Sequence, residues 1–186
     1  LVRAKWSDLN EFRRVNFWGQ PTTGNGVHAQ SCWDWEFEDC WFRWGGDPDR
    51  GTADVYATNT EGQQTNNFNF VGCRWERVAS HAIYLDSSNG PHLTRKFRLT
   101  ACKFHGPVPA EGNPNQNEWL PVYFIDGTYQ SLSVVNSQFE VGGPGYIRTR
   151  TPAADLDQEN GLLVANSLFQ SWDSEERGTP AIDSHA

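Results

Sequence analysis

Five residues of this sequence, His28, Tyr56, Tyr84, Tyr123 and Arg148, each follow directly on a Val or Ile. If that branched residue points inward from a strand, alternation turns its neighbour outward, and the five form one outward row. Three tyrosines flanked by an imidazole and a guanidinium suit sugar binding, because a pyranose face packs on an aromatic ring while its hydroxyls meet edge donors. Without a ligand, the same row would stiffen a sheet through side-chain ladders, or lie buried under a loop or a neighbouring subunit. Asp54 and Asp86 stand near this row and are the candidate catalytic pair. Glycoside hydrolysis needs two carboxyl groups about 5–5.5 Å apart for retention or about 6.5–9.5 Å for inversion. The competing role for Asp86, and for Asp126 at the end of a later strand, is to close a strand and start a turn.

Other constellations carry less. Asp47 and Asp49, in Gly-Gly-Asp-Pro-Asp-Arg-Gly, could hold a hard cation with loop carbonyls, but the composition is that of a turn. His28, His81, His92, His105 and His185 lack metal-ligand spacing, and no metal or other cofactor is expected. The four cysteines have no adjacent base to make a nucleophile. Cys40, Cys73 and Cys102 would sit side by side as small buried apolar residues, and free thiols are expected. A net charge of −8 repels phosphate backbones, so nucleic acid is not an expected partner. No apolar run reaches the ~20 residues of a membrane helix, so no membrane insertion is expected. The chain opens on Leu1 and contains no Met, and it reads as a segment of a longer or processed polypeptide.

The elements that must position the row are repeats. Asn67-Phe-Asn-Phe-Val-Gly-Cys-Arg-Trp75 has the grammar apolar, polar, apolar, bend, small residue, polar, aromatic. It returns at Trp35–Phe42, Phe97–Phe104, Leu132–Phe139 and Leu162–Phe169, with a degenerate copy at Asn10–Phe17. Steps along Val15, Cys40, Cys73, Cys102, Ser137 and Ser167 are 25, 33, 29, 35 and 30 residues, by subtraction of their numbers. Such steps fit a solenoid with strands of fixed length and loops that vary. A second strand lies between copies, with Val27, Val55, Ile83, Val122, Ile147 and Ile182 aligned and inward. Stacking makes Phe17, Phe42, Trp75, Phe104, Phe139 and Phe169 one aromatic column. The bend residues Arg14, Asp39, Gly72, Ala101, Asn136 and Asn166 include the types that suit a left-handed turn. Parallel crossovers are right-handed in nearly all cases. The fold expected over residues 1–186 is all-β: one right-handed parallel β-helix of about six coils with variable loops.

With those two strand motifs, most of the chain resembles the right-handed β-helix superfamily of pectate lyases, polygalacturonases and phage tailspikes. The resemblance implies that the sheet carrying Tyr56 and Tyr84 lines a saccharide groove. The family's lyase signature, paired Asp on calcium with an Arg base, and the paired-Asp signature of polygalacturonases are not seen as contiguous patterns. The reading that follows is a module of a viral tail spike, fibre or surface protein, on the virion or outside the cell. It would bind polysaccharide or host-surface glycan and assemble as a homotrimer or with other virion or surface subunits. Beside it stand a polysaccharide lyase or hydrolase and a structural shaft without ligand. Trp33, Trp35, Trp41 and Trp44 cannot all point inward, so aromatic surface is expected near the first coils, for a partner or under a loop.

Overall fold

The computed structural model describes residues 2–18, 25–43, 53–59, 63–76, 78, 81–87, 95–106, 123–140, 146–149, 161–170 and 182–184. Trp44, Asp47, Asp49, His92, Val122 and His185 lie outside them. Among the described residues there is no helix, and nineteen strands form three parallel sheets. Sheet A holds β1 (Val2–Lys5), β4 (Val27–Gln30), β7 (Ala53–Thr58), β10 (His81–Asp86), β13 (Ile125–Gly127), β16 (Ile147–Thr149) and β19 (Ile182–Ser184). Sheet B holds β2 (Asp8–Arg13), β5 (Trp33–Glu38), β8 (Asn66–Val71), β11 (Arg95–Thr100), β14 (Ser131–Val135) and β17 (Gly161–Ala165). Sheet C holds β3 (Asn16–Trp18), β6 (Trp41–Arg43), β9 (Arg74–Glu76), β12 (Lys103–His105), β15 (Gln138–Glu140) and β18 (Leu168–Gln170). Each sheet takes every third strand in order, so the chain winds A, B, C and repeats: a parallel β-helix.

About six coils were expected, and the fully packed ones number about four. The four middle turns have a neighbour on both faces and hold nearly all the wholly buried side chains. The first and last turns reach six only by count: β2, β17 and β18 are half-buried or exposed along their length.

Stacked side chains hold the coils together. The aromatic column has ring centroids 4.7, 4.8, 4.6, 4.5 and 4.9 Å apart from Phe17 to Phe169, with planes within 11° of parallel. A second column, Phe12, Phe37 and Phe70, stacks at 4.9 and 4.6 Å. Both spacings match the ~4.8 Å between neighbouring strands, which is why like residues meet like. The bend between sheets B and C is left-handed at every expected position, with φ of 50–64° at Arg14, Asp39, Gly72, Ala101, Asn136 and Asn166. Small residues follow each bend, and their polar atoms are met. The thiols of Cys40, Cys73 and Cys102 donate to the carbonyls of Phe12, Phe37 and Phe70 one coil away, at 3.2, 3.3 and 3.4 Å. All four cysteines are free and buried. Cys73 is pushed up to about 12, chiefly by its hydrogen bond with Cys102, so it stays a neutral thiol.

Two features run against expectation. The fifth strand of sheet A is Ile125–Gly127 rather than the segment around Val122, so Ile125 takes the inward place beside Ile83 and Ile147. A second left-handed column, Leu9, Asp34, Asn67 and Lys96, also enters sheet B one residue after each strand begins.

Candidate functional site

Connection lengths point to one sheet. Between sheets B and C every connection is two residues (14–15, 39–40, 72–73, 101–102, 136–137 and 166–167). Connections into sheet A run from four residues (77–80) to nineteen (106–124), and those out of it from two (6–7) to eleven (150–160). All the length variation between the described strands therefore borders sheet A, and connections that vary in length beside a regular scaffold are where binding surfaces are built.

The outward row of sheet A follows its register. Arg3 pairs with His28, His28 with Tyr56, Tyr56 with Tyr84, Tyr84 with Asp126, and Asp126 with Arg148. His28, Tyr56, Tyr84 and Arg148 thus share one row, as expected. Tyr123 does not. It precedes β13 and is buried, and Asp126 occupies the place assigned to it. The chain nevertheless keeps Tyr123 at this end of the site, with the Arg148 guanidinium 4.3 Å above its ring.

The tyrosines do not offer their faces. Tyr56 and Tyr84 stack on each other at 5.8 Å and 23°, and His28 packs against Tyr56 at 5.0 Å. What the row presents is ring edges and polar tips. Tyr56 donates its hydroxyl to Asp86 at 2.6 Å. Burial first, then the Asp86 bond, raises the Tyr56 phenol, so it remains a donor. His28 is lowered by burial and secondarily by Arg3, which keeps its imidazole neutral.

Asp126 is the centre of the other end. Its carboxylate is 0% exposed and takes two bonds from Arg148, from Nε at 2.9 Å and Nη2 at 2.5 Å. His81 donates from Nδ1 to the Tyr123 carbonyl at 3.0 Å, which leaves Nε2 3.9 Å from Asp126. Tyr129, below the row, is pushed up to about 12, chiefly by burial. Sequence reasoning placed Asp126 at a strand end and left His81 among histidines without ligand spacing. The single available signal was the branched residue Ile125 directly before Asp126.

The proposed carboxylate pair is not brought together. Asp54 falls between the Ala53–His81 and Val55–Ile83 pairs, whereas Asp86 faces Thr58. Four strand positions separate them, ~13 Å along the sheet. That exceeds the ~9.5 Å upper limit for an inverting pair. Asp86 and Asp126 are closer, as diagonal neighbours on adjacent strands with Cα atoms ~7–8 Å apart. A carboxylate closed from solvent and doubly bonded to a guanidinium is a poor proton carrier. Among the described residues no group of His, Cys, Asp and Glu could hold a metal ion.

Of the tryptophans, Trp35 is buried against Phe68, and Trp33 and Trp41 are half-buried. Trp6 and Trp18, each 64% exposed, carry the aromatic surface of the first turn.

Comparison with known proteins gives a likeness of fold. No family model matches the chain, and no curated protein does. Among solved structures, ORF18 of Geobacillus virus E2 superposes with a TM-score of 0.64 at 15% identity, over 96% of this chain and 37% of that one. The chain thus spans little more than a third of that protein's length. At this identity the shared property is the fold.

Proposed function

We propose that this chain is the β-helix part of a virion-associated protein and that sheet A is its glycan-binding face. One observation carries the reading: the variable connections all border the sheet whose single row holds half-buried His28, Tyr56, Tyr84 and Arg148 and the buried Asp126. Hydroxyl-rich ligands are recognised by such fixed donors and acceptors, which pay little ordering entropy on binding. The viral origin of the structure with the same fold supports placing the protein on a particle. With ring faces occupied by neighbouring rings, recognition runs through hydrogen bonds donated by Tyr56, Tyr84 and Arg148 and accepted by Asp86, not through face-on stacking. The distance between Asp54 and Asp86 and the engagement of Asp126 favour binding over hydrolysis.

The test is binding to host-envelope polysaccharide by surface plasmon resonance, for the native chain and for Tyr84→Phe and Asp86→Asn. Both substitutions keep the shape of the row, and each should weaken binding at least about tenfold, the loss of a hydrogen bond to a charged or buried partner. Unchanged affinity in both variants, with the fold intact by circular dichroism, overturns the reading.

A further inference from the structure

The outward face of sheet B carries an arrangement of charge that the glycan reading does not use. On its first two strands the charged side chains are Asp8, Glu11, Asp34, Glu36 and Glu38, against a single cation, Arg13, and all are exposed or half-exposed. On β11 the charged side chains are Arg95, Lys96 and Arg98, with no acid. Between them lies β8, whose outward residues are Asn67, Asn69 and Val71, the last 40% exposed. Beyond β11 the outward positions are Ser131, Ser133 and Val135, then Gly161, Leu163 and Ala165. The face is acid, neutral, basic and then uncharged, and the two-residue bends leave it uncrowded on the side of sheet C.

The separation is held in place. Asn67 donates to Asp34 and accepts from Arg98 at 2.6 Å, so a neutral amide stands between the two charges. Acid and base lie two strands apart, ~9.6 Å. That is about one Debye length at physiological salt, so they attract each other weakly within one chain. A contact at ~4 Å to a second chain would be far stronger.

We infer that sheet B is the interface for a second copy of this chain, related by a two-fold axis lying along β8. Rotation about that axis keeps strand position and reverses coil order. It sets Asp34 against the partner copy's lysine at position 96, and Glu36 against its arginine at position 98. Val71 meets its own counterpart on the axis, as an isologous contact requires. A two-fold along the solenoid, or a three-fold bundle of parallel copies, sets acidic strands against acidic strands at the same height. The charge order therefore favours an antiparallel pair over the homotrimer expected of a tail spike or fibre module. This inference is independent of the glycan reading, which concerns another face.

Sedimentation equilibrium on the 186-residue chain tests it. The native chain is expected to be a dimer at low salt and to dissociate at about 1 M salt, where the Debye length falls to about 3 Å. Glu36→Lys alone and Arg98→Glu alone should each raise the dissociation constant at least tenfold. The combined Glu36→Lys/Arg98→Glu variant should return it to near the native value. All of these side chains are exposed, and circular dichroism checks that each variant folds. A native monomer, a trimer insensitive to the single reversals, or a double reversal that stays dissociated overturns the inference.

Discussion

Phe104 is the most informative residue to remove. It is fully buried in the middle of the aromatic column, stacked on Trp75 at 4.6 Å and on Phe139 at 4.5 Å, with Phe124 packed at 5.9 Å. Truncating a buried Phe to Ala costs about 3–5 kcal/mol in transfer and cavity terms. Both stacked neighbours are themselves fully buried and held against the next ring of the column, Trp75 on Phe42 and Phe139 on Phe169, so collapse into the cavity is opposed and the upper half of that range is expected. Phe169 is the control. It belongs to the same column but is half-buried, with one stacked neighbour, Phe139, at 4.9 Å. Phe169→Ala should cost about 1–2.5 kcal/mol, in proportion to the apolar area it keeps from water. Against a total stability of about 5–15 kcal/mol for a domain, the two variants are readily separated. The assay is urea unfolding followed by tryptophan fluorescence and far-ultraviolet circular dichroism, extrapolated to water. Equal costs at the two positions, or a Phe104→Ala cost below about 1.5 kcal/mol, would refute the stacked-coil account of stability.

Four further outcomes follow from named contacts. Arg148→Ala removes both bonds to the buried Asp126 and should cost about 3–5 kcal/mol in urea unfolding, whereas Asp126→Leu/Arg148→Leu should recover most of that loss. Folding lowers His28 below its ordinary value of 6.5, so the unfolded chain takes up that proton first. Stability from this group is therefore fully present above about pH 6.5 and lost as pH falls below that value through the lowered folded one, and His28→Gln should flatten that part of the stability–pH curve. Gly127 has φ of 137°, and a Cβ there would lie 2.0 Å from the Leu85 carbonyl oxygen, backbone against backbone. Gly127→Ala should lower thermal stability by the equivalent of at least about 3 kcal/mol. Gly72→Ala meets only the movable Asp39 carboxylate and should cost about 1–2 kcal/mol for its left-handed backbone.

The winding was legible because parallel coils place like residues in register, and the chain uses the same types there: an aromatic at Phe17, Phe42, Trp75, Phe104, Phe139 and Phe169, and a branched residue at Val27, Val55 and Ile83. The fifth strand of sheet A was misplaced for a physical reason. It follows the nineteen-residue connection 106–124, so spacing does not fix its start, and Val122 and Ile125 are both branched residues that suit the inward place. That slip of three positions put Tyr123 in the row and left out Asp126. The second left-handed column was hidden because only Asp34 and Asn67 are types that favour it; Leu9 and Lys96 give no such signal. Ring orientation was equally out of reach. Alternation says which way Tyr56 and Tyr84 leave the sheet, but whether they stack on each other or lie open to a sugar depends on side-chain packing.

The central claim, that sheet A is the ligand-bearing face, is tested most directly by hydroxyl-radical footprinting with and without host-envelope polysaccharide. The account predicts slower oxidation of Tyr56 and Tyr84 when the glycan is present, while Trp18, exposed on sheet C, oxidises at an unchanged rate. Protection of Trp18 with Tyr56 and Tyr84 unaltered would contradict it.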